Sequence, residues 1–496
     1  MKSITATATS AVIVLDRDSG LPLYRQIEDS FSSAILAGVL KAGTRLPSTR
    51  ALAESLGVSR NTIMLAFDEL FSQGFLDARK GTGTFVAEGV PAPSPAPSTI
   101  ERRAKPGPSI SERGSRIGGL GLTRVREYAP ARAFRAGVPA LDAFALEQWR
   151  QEATKTQRWS TVDMLGYGDP GGYRPLRQAI AEFLGAKRVV RCSAGQVVIV
   201  SGSQQGLDLA ARLLMDPGDR VLMEDPARSG AAGALAAAGI DMVSVPLDQD
   251  GLDVEAGVAR EPNARAAYVS PSHQYPLGVT MSLDRRRQLV GWARLANTWI
   301  IEDDFDSEFQ FEGTPLPSIQ GMAPERVVYV GSFSRALFPS LRLGYVVVPD
   351  SLVETFQRAR ALMDRQSPMW EQATLANFIT DGHLDRHLRR MRGIYLARRD
   401  ALMHYSERHL LGMVTLSSVS AGLHVAGLLP TTSDARQVEE TAATYGVDVL
   451  SLSRLAREVE LPPALLLGFG VVPESSMESA VLTLAKALAT LDSPHR

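Results

Sequence analysis

The stretch that begins EGVPAPSPAPSTIERRAKPGPSISERGSRIGGLG at Glu88 cuts the chain in two. It is rich in Pro, Ser, Ala and Gly and poor in large apolar side chains. It therefore cannot bury enough surface to offset the entropy lost on ordering its backbone. A chain of 496 residues has room for two to four domains, and this stretch says where the main division falls. Residues 1–87 form one domain, 88–130 a linker that is part extended and part flexible, and 131–496 a larger second domain. From Glu101 to Arg135 there are nine Lys or Arg against three Glu. Such an arm either serves solubility or adds sequence-independent attraction to DNA.

Formal net charge is -1, so no global field marks a partner, and any nucleic-acid site must be local. One cysteine, Cys192, excludes an internal disulfide and fits a reducing compartment. The apolar run near the start, Ala11 to Leu15, is too short for a signal-peptide core or a membrane span. A cytoplasmic protein with no membrane partner is expected.

In the first domain the pattern is helical and then turns to a hairpin. YRQIEDSFSSAILAGVL sets Ile27, Phe31 and Ile35 four apart, one apolar stripe. LPSTRALAESLG follows, with Ser48 as N-cap and Gly57 as the stop. VSRNTIMLAFDELFSQG then starts at the cap Ser59 and buries Ile63, Phe67 and Leu70. Two short helices across a tight turn make a helix-turn-helix, and FLDARKGTGTFVA closes it as a two-stranded wing. Nine basic and nine acidic residues cancel over residues 1–88, but between Lys41 and Thr62 four cations, Arg45 among them, meet only Glu54. Arg60, Asn61 and Thr62 open the second helix, whose N-terminal residues meet base edges in this docking mode. Arg50 can hold phosphate, while Arg79, Lys80, Gly81 and Gly83 can reach the adjacent groove.

Beyond the linker, the apolar runs QVVIVSG, DRVLMEDP, ARAAYVSP, TWIIEDD and RVVYVGS alternate with helical stretches. Short continuous apolar runs between amphipathic helices indicate a buried, mostly parallel sheet, hence an α/β domain. VSGSQQGLDLA reads as strand, small-residue turn and helix start, offering Ser203, Gln204 and backbone N–H groups to an oxyanion. GSFSRALFPSLRLGY adds Ser332, Ser334 and Arg342. No metal site is expected.

The first domain resembles the GntR family of bacterial winged helix-turn-helix regulators, through RLPSTRALAESLGVSRNTIMLAFDEL and GFLDARKGTGTFVA. The second resembles a fold-type I, pyridoxal phosphate-dependent aminotransferase of the version fused to such modules in MocR-type regulators. The matching stretches run along its length: YGDPGGYRPLR, VSGSQQGLDLAARLLMDPGDRVLMEDP, SPSHQYPLGVTMSLDRRRQL, IEDDFDSEF, GSFSRALFPSLRLGYVVVP and AGLHV. The resemblance implies a large subdomain at about 165–350, a small subdomain in the remainder, and a head-to-tail homodimer. It also implies double-stranded DNA as partner, with Arg50 and Arg60 as the strongest contacts, and a small-molecule effector.

By the same resemblance Asp303 would face a pyridine nitrogen, and three positions depart from the family pattern. The Schiff-base lysine aligns with Arg335, the tyrosine on the cofactor's ring oxygen with Phe305, and the ring-stacking aromatic with Arg228. A guanidinium has no amine lone pair with which to attack an aldehyde. No lysine occurs between Arg188 and Ala485. Pyridoxal phosphate is thus implied by family resemblance only. Covalent attachment is not expected and no residue is assigned as catalytic. Non-covalent binding, another anionic ligand drawn to Arg228 and Arg335, and a purely structural domain stay open. The rival reading is a working aminotransferase with a DNA-binding appendage.

Overall fold

The computed structural model describes residues 13, 15–17, 19–79, 82–88, 109–120, 131–312 and 316–492. They divide into two compact units, one up to Ser109 and one from Ile110.

In the first unit the apolar stripe becomes helix α1, Leu23–Leu36, with Ile27, Phe31, Ala34 and Ile35 buried. It packs on α3, Arg60–Ser72, where Phe31 meets Phe67 edge-on at 5.7 Å between ring centroids. Burying one such side chain contributes about 1.5–3 kcal/mol. Between them lies α2, Thr49–Leu56. Ser48 Oγ accepts from the Ala51 N–H at 3.3 Å, and Ser59 Oγ from the Thr62 N–H at 3.1 Å, the two caps expected. Gly57 ends α2 at φ 61°, a left-handed conformation that only glycine adopts without strain. The wing is β1, Leu76–Arg79, paired antiparallel with β2, Gly83–Val86. Lys80 and Gly81 lie outside the described residues.

Much of the 88–130 stretch also lies outside the described residues, but within it Glu112–Gly119 is a helix capped by Ser111. Arg113 Nε donates to the Ala237 carbonyl at 3.2 Å, tying this helix to the second unit. The composition had suggested only extended or flexible chain. A Ser cap and one long cation on a carbonyl were enough for two helical turns.

The second unit is built on an eight-stranded sheet in the order β3-β10-β9-β8-β7-β4-β5-β6, with β6, Gly251–Leu252, at the edge. The five runs read from the sequence are β3, Val197–Val200; β4, Arg220–Asp225; β7, Ala266–Val269; β8, Trp299–Asp304; and β9, Val327–Ser332. β5, Asp241–Asp248, joins them, and β5, β4, β7, β8 and β9 are mutually parallel. β10, Gly344–Val347, runs antiparallel between β9 and β3, an inversion the apolar pattern did not reveal. Helices on both faces explain why these strands are apolar throughout rather than alternating. A separate four-stranded antiparallel sheet forms the C-terminal part, in the order Thr415–Leu416, His424–Leu428, Ala464–Gly468 and Leu450–Ser451. The long helix His383–His409 leads into it. Among the described residues no helix is long and apolar enough to cross a membrane.

Candidate functional site

On the first unit, Arg45, Arg50, Arg60 and Asn61 are exposed around the start of α3. Arg60 Nε donates to Thr49 Oγ1 at 3.3 Å, so the α2 N-terminus steadies it while its other N–H groups stay outward. Ser59 and Thr62 turn to each other, with Oγ and Oγ1 2.8 Å apart, so the pair shapes the helix start as well as facing outward. Arg79, which the sequence places at the wing, remains half exposed. It is held by Glu88 at 2.8 Å and lies 4.9 Å over the Phe85 ring. Gly83 (φ 119°) leaves room for the Arg45 guanidinium, which a Cβ there would meet at 3.2 Å. Arg17, which the sequence reading did not single out, donates to the Gly57 carbonyl at 2.9 Å and closes the turn between the two helices.

On the second unit the parallel strands end together, and ligands of open α/β sheets bind at such carboxyl ends. The sheet register sets Gly344 opposite both Val200 and Ser332, which brings the ends of β3 and β9 to either side of β10. Gly202 (φ 88°) opens the helix Ser203–Leu214, and the Arg342 guanidinium lies 3.4 Å from where a Cβ at Gly202 would stand. Arg342 Nη2 donates to the Ser201 carbonyl at 2.8 Å. Ser334 N–H donates to Ser332 Oγ at 3.2 Å. Ser203, Ser332, Ser334 and Arg342 therefore line one end of a cradle beside a helix N-terminus, suited to an oxyanion. Gln204, beside Ser203, gives one N–H of its Nε2 to the Gly230 carbonyl at 2.8 Å.

The other end of the cradle is already filled by the chain itself. Arg228 Nη2 pairs with Asp303 Oδ2 at 2.8 Å, and Tyr268 O–H donates to the same oxygen at 2.7 Å. Arg335 pairs with Asp306 and stacks 4.5 Å over Phe305, whose ring lies 5.8 Å from the Arg228 guanidinium. The two arginines anticipated as free attractants for an anion are thus each matched to a carboxylate. The physical reason is burial: Asp303 and Asp306 are about 1 % exposed, and charges so far from water must be paired. Burial pushes the Asp306 carboxyl up to about 6, against the pull of Arg335.

Beside this pair, donor atoms of His273, His424 and Asp306 lie within 4.8 Å of one another. Burial first, then the Arg335 charge, pushes His273 down to about 3, and burial, His273 and Arg335 together hold His424 well below its usual value. A guanidinium that neutralises the one carboxylate and sets its own positive charge against the cluster makes a poor cation site. Tyr268 and Asp306 went unmarked in the sequence. Tyr268 sits in an apolar strand that reads as core, and Asp306 is one of several acids in EDDFDSEF.

This combination, a winged helix-turn-helix and a mixed α/β fold with an oxyanion cradle at its strand ends, defines a DNA-binding head joined to an aminotransferase-like domain. Comparison with known proteins agrees. Residues 23–86 match the model of bacterial regulatory proteins of the gntR family, and residues 134–437 that of aminotransferase class I and II. The probable rhizopine catabolism regulatory protein MocR of Rhizobium meliloti is 37% identical over 97% of both chains. The pyridoxine biosynthesis transcriptional regulator PdxR of Corynebacterium glutamicum is 28% identical over 96% of this chain and 98% of its own. Among solved structures, the α-aminoadipate aminotransferase LysN of Thermus thermophilus, in complex with N-(5'-phosphopyridoxyl)-L-leucine, superposes with a TM-score of 0.70 at 27% identity. It covers 77% of this chain and 97% of LysN. The chain belongs to the MocR-type transcription regulators, GntR heads fused to a class I and II aminotransferase domain.

Pyridoxal phosphate is the cofactor this resemblance implies, and the residues fit it at one end only. Ser203, Ser332, Ser334 and Arg342 suit its phosphate. At the ring end, Arg228 and Tyr268 already hold Asp303. No cradle element carries a lysine, and Lys155 and Lys187 are each paired elsewhere, with Asp381 and Asp385.

Proposed function

We propose that this regulator reads an operator through its winged head and senses a small anionic metabolite through a cradle that no longer performs aminotransferase chemistry. The observation that carries the reading is Arg335. At the position aligned with the family's Schiff-base lysine stands a guanidinium locked onto a buried carboxylate, with no amine within the cradle. A working transaminase needs a nucleophilic nitrogen there. Effector binding at the serine end acts on the head only to the extent that the ligand prefers one arrangement of the dimer.

The homodimer is itself part of the proposal, head-to-tail as in the family. Trp159, Val162, Leu165 and Tyr167 are 70–83 % exposed on one run, with Arg365 4.7 Å over the Tyr167 ring and Trp370 also exposed nearby. An apolar run of this kind is a natural face for a second copy. The setting is cytoplasmic, where DNA and metabolite are both within reach.

The test has two arms. Purified protein mixed with pyridoxal phosphate should show no imine absorbance and no borohydride-stable adduct in the cradle. An adduct on a cradle side chain overturns the receptor reading. In a mobility-shift assay on the upstream region of its own gene, the wild type should bind while Arg60→Ala, folded equally well, should not.

A further inference from the structure

A second cavity lies outside the cradle. The helix Arg174–Arg188 ends on one side of it, the helix His383–His409 runs along another, and the turn Ser307–Phe309 closes the back. Its volume is about 310 Å³, at the lower end of small-molecule sites. Four cations line it, Lys187, Arg188, Arg389 and Arg392, together with Ser307 and Glu308.

The cations are unequally occupied. Arg188, at 6 % exposure, forms the floor and is paired with Asp304 at 3.0 Å. Lys187 pairs with Asp385 at 3.1 Å. Arg392 gives its Nε to the Glu308 carbonyl at 2.7 Å. Arg389, exposed at the mouth, has no hydrogen bond or ion pair among the described residues. Glu308 does not cancel this surplus. Burial first, then the Asp304 and Asp306 carboxylates, raise its carboxyl well above the ordinary range, with Arg188 and its own backbone N–H pulling the other way. A protonated Glu308 donates to an oxyanion where an ionised one would repel it. Lys187 and Arg188 are each matched to a carboxylate, Asp385 and Asp304, whereas Arg389 and Arg392 have no carboxylate partner among the described residues.

We infer that this cavity is a second effector site, which takes a compact metabolite carrying two negative charges through the forks of Arg389 and Arg392. Guanidinium forks match phosphate and carboxylate oxygens in pairs. Ser307 and Glu308 follow directly on Phe305 and Asp306. A ligand here therefore presses on the same turn that holds Arg335, and it acts on the cradle without entering it. The site does not depend on what the cradle binds.

The experiment uses the full chain and thermal unfolding, with inorganic phosphate and succinate as separate probes and sodium chloride at matched ionic strength as control. A saturable rise in Tm is expected for at least one dianion beyond the salt effect. Arg389→Gln, an exposed position with no partner to lose, should weaken that binding on the order of tenfold. The part of the rise that Arg389→Gln removes should persist in Ser334→Ala, which alters only the cradle. Glu308→Gln keeps a donor, so it should retain binding. A rise that follows ionic strength alone overturns the site. So does binding that survives Arg389→Gln but is lost in Ser334→Ala, which would assign the dianion to the cradle.

Discussion

Arginines at the DNA-facing surface and arginines in the cradle share a side chain and differ in everything that decides its role. Arg50 and Arg60 are exposed and meet no acidic partner among the described residues. Their charge is hydrated and free, so it remains available to phosphate, with released counterions supplying much of the drive. Arg228 and Arg335 are largely buried and each is matched to a carboxylate. Taking an ion from water costs several kcal/mol, and only an opposite charge in good geometry offsets that. Exposure keeps a cation available for a partner, whereas burial commits it to the fold.

The largest effect should come from breaking a buried pair. Arg335→Ala strands Asp306 without its counter-ion and should cost about 3–5 kcal/mol in chemical denaturation. Adding Asp306→Asn in that background should restore much of the loss, since the orphaned charge goes with it. A cost under about 1 kcal/mol would mean that the pair contributes little.

On the surface the same truncation should spare stability and strike binding. Arg60→Ala should lower DNA affinity by about 1–3 kcal/mol and leave the unfolding midpoint within about 0.5 kcal/mol of wild type. If Arg60 contacts a phosphate, the slope of affinity against salt should fall by about one.

Ser59→Ala sharpens the contrast from the side of the scaffold. It removes the acceptor of the Thr62 N–H and the partner of Thr62 Oγ1. It should lower the stability of the head by about 1 kcal/mol and weaken DNA binding through the frayed helix start.

The smallest effect concerns pH. Burial pushes the Glu302 carboxyl up to about 7, despite the Arg286 charge and the two N–H bonds it accepts from Ile319 and Gln320. Its folded pKa stands above its unfolded value of about 4.3, so the folded state holds the proton longer. The stabilising contribution is fully present below about pH 4 and is lost as pH rises through about 7. Denaturation midpoints at pH 5 and 7.5 should therefore differ less in Glu302→Gln than in wild type, whatever the variant's absolute stability.

The head was legible almost to the residue because its signals are local. A cap and the N–H it accepts are three residues apart, and a buried stripe repeats every three or four. Four of the five parallel strands, β4, β7, β8 and β9, were legible as well, since burial on both faces leaves continuous apolar runs, whereas the half-exposed β5 was not among the runs read. β10 was not, because its reversed direction depends on which neighbours it reaches. In the candidate cradle, the small-residue turns carrying the serines were visible as local patterns, whereas the bond from Gln204 to Gly230 was not, since the two lie 26 residues apart.

From sequence alone follow a two-part chain, a winged helix-turn-helix head and an α/β domain of aminotransferase type. These depend on residue identity and short spacing, which a chain carries whether folded or not. Only the tertiary structure decided that Arg228 belongs to Asp303, Arg335 to Asp306 and Arg79 to Glu88, and that four cations gather round a separate cavity. Coulomb attraction and the cost of dehydration depend on separation in space and distance from water. Folding sets both.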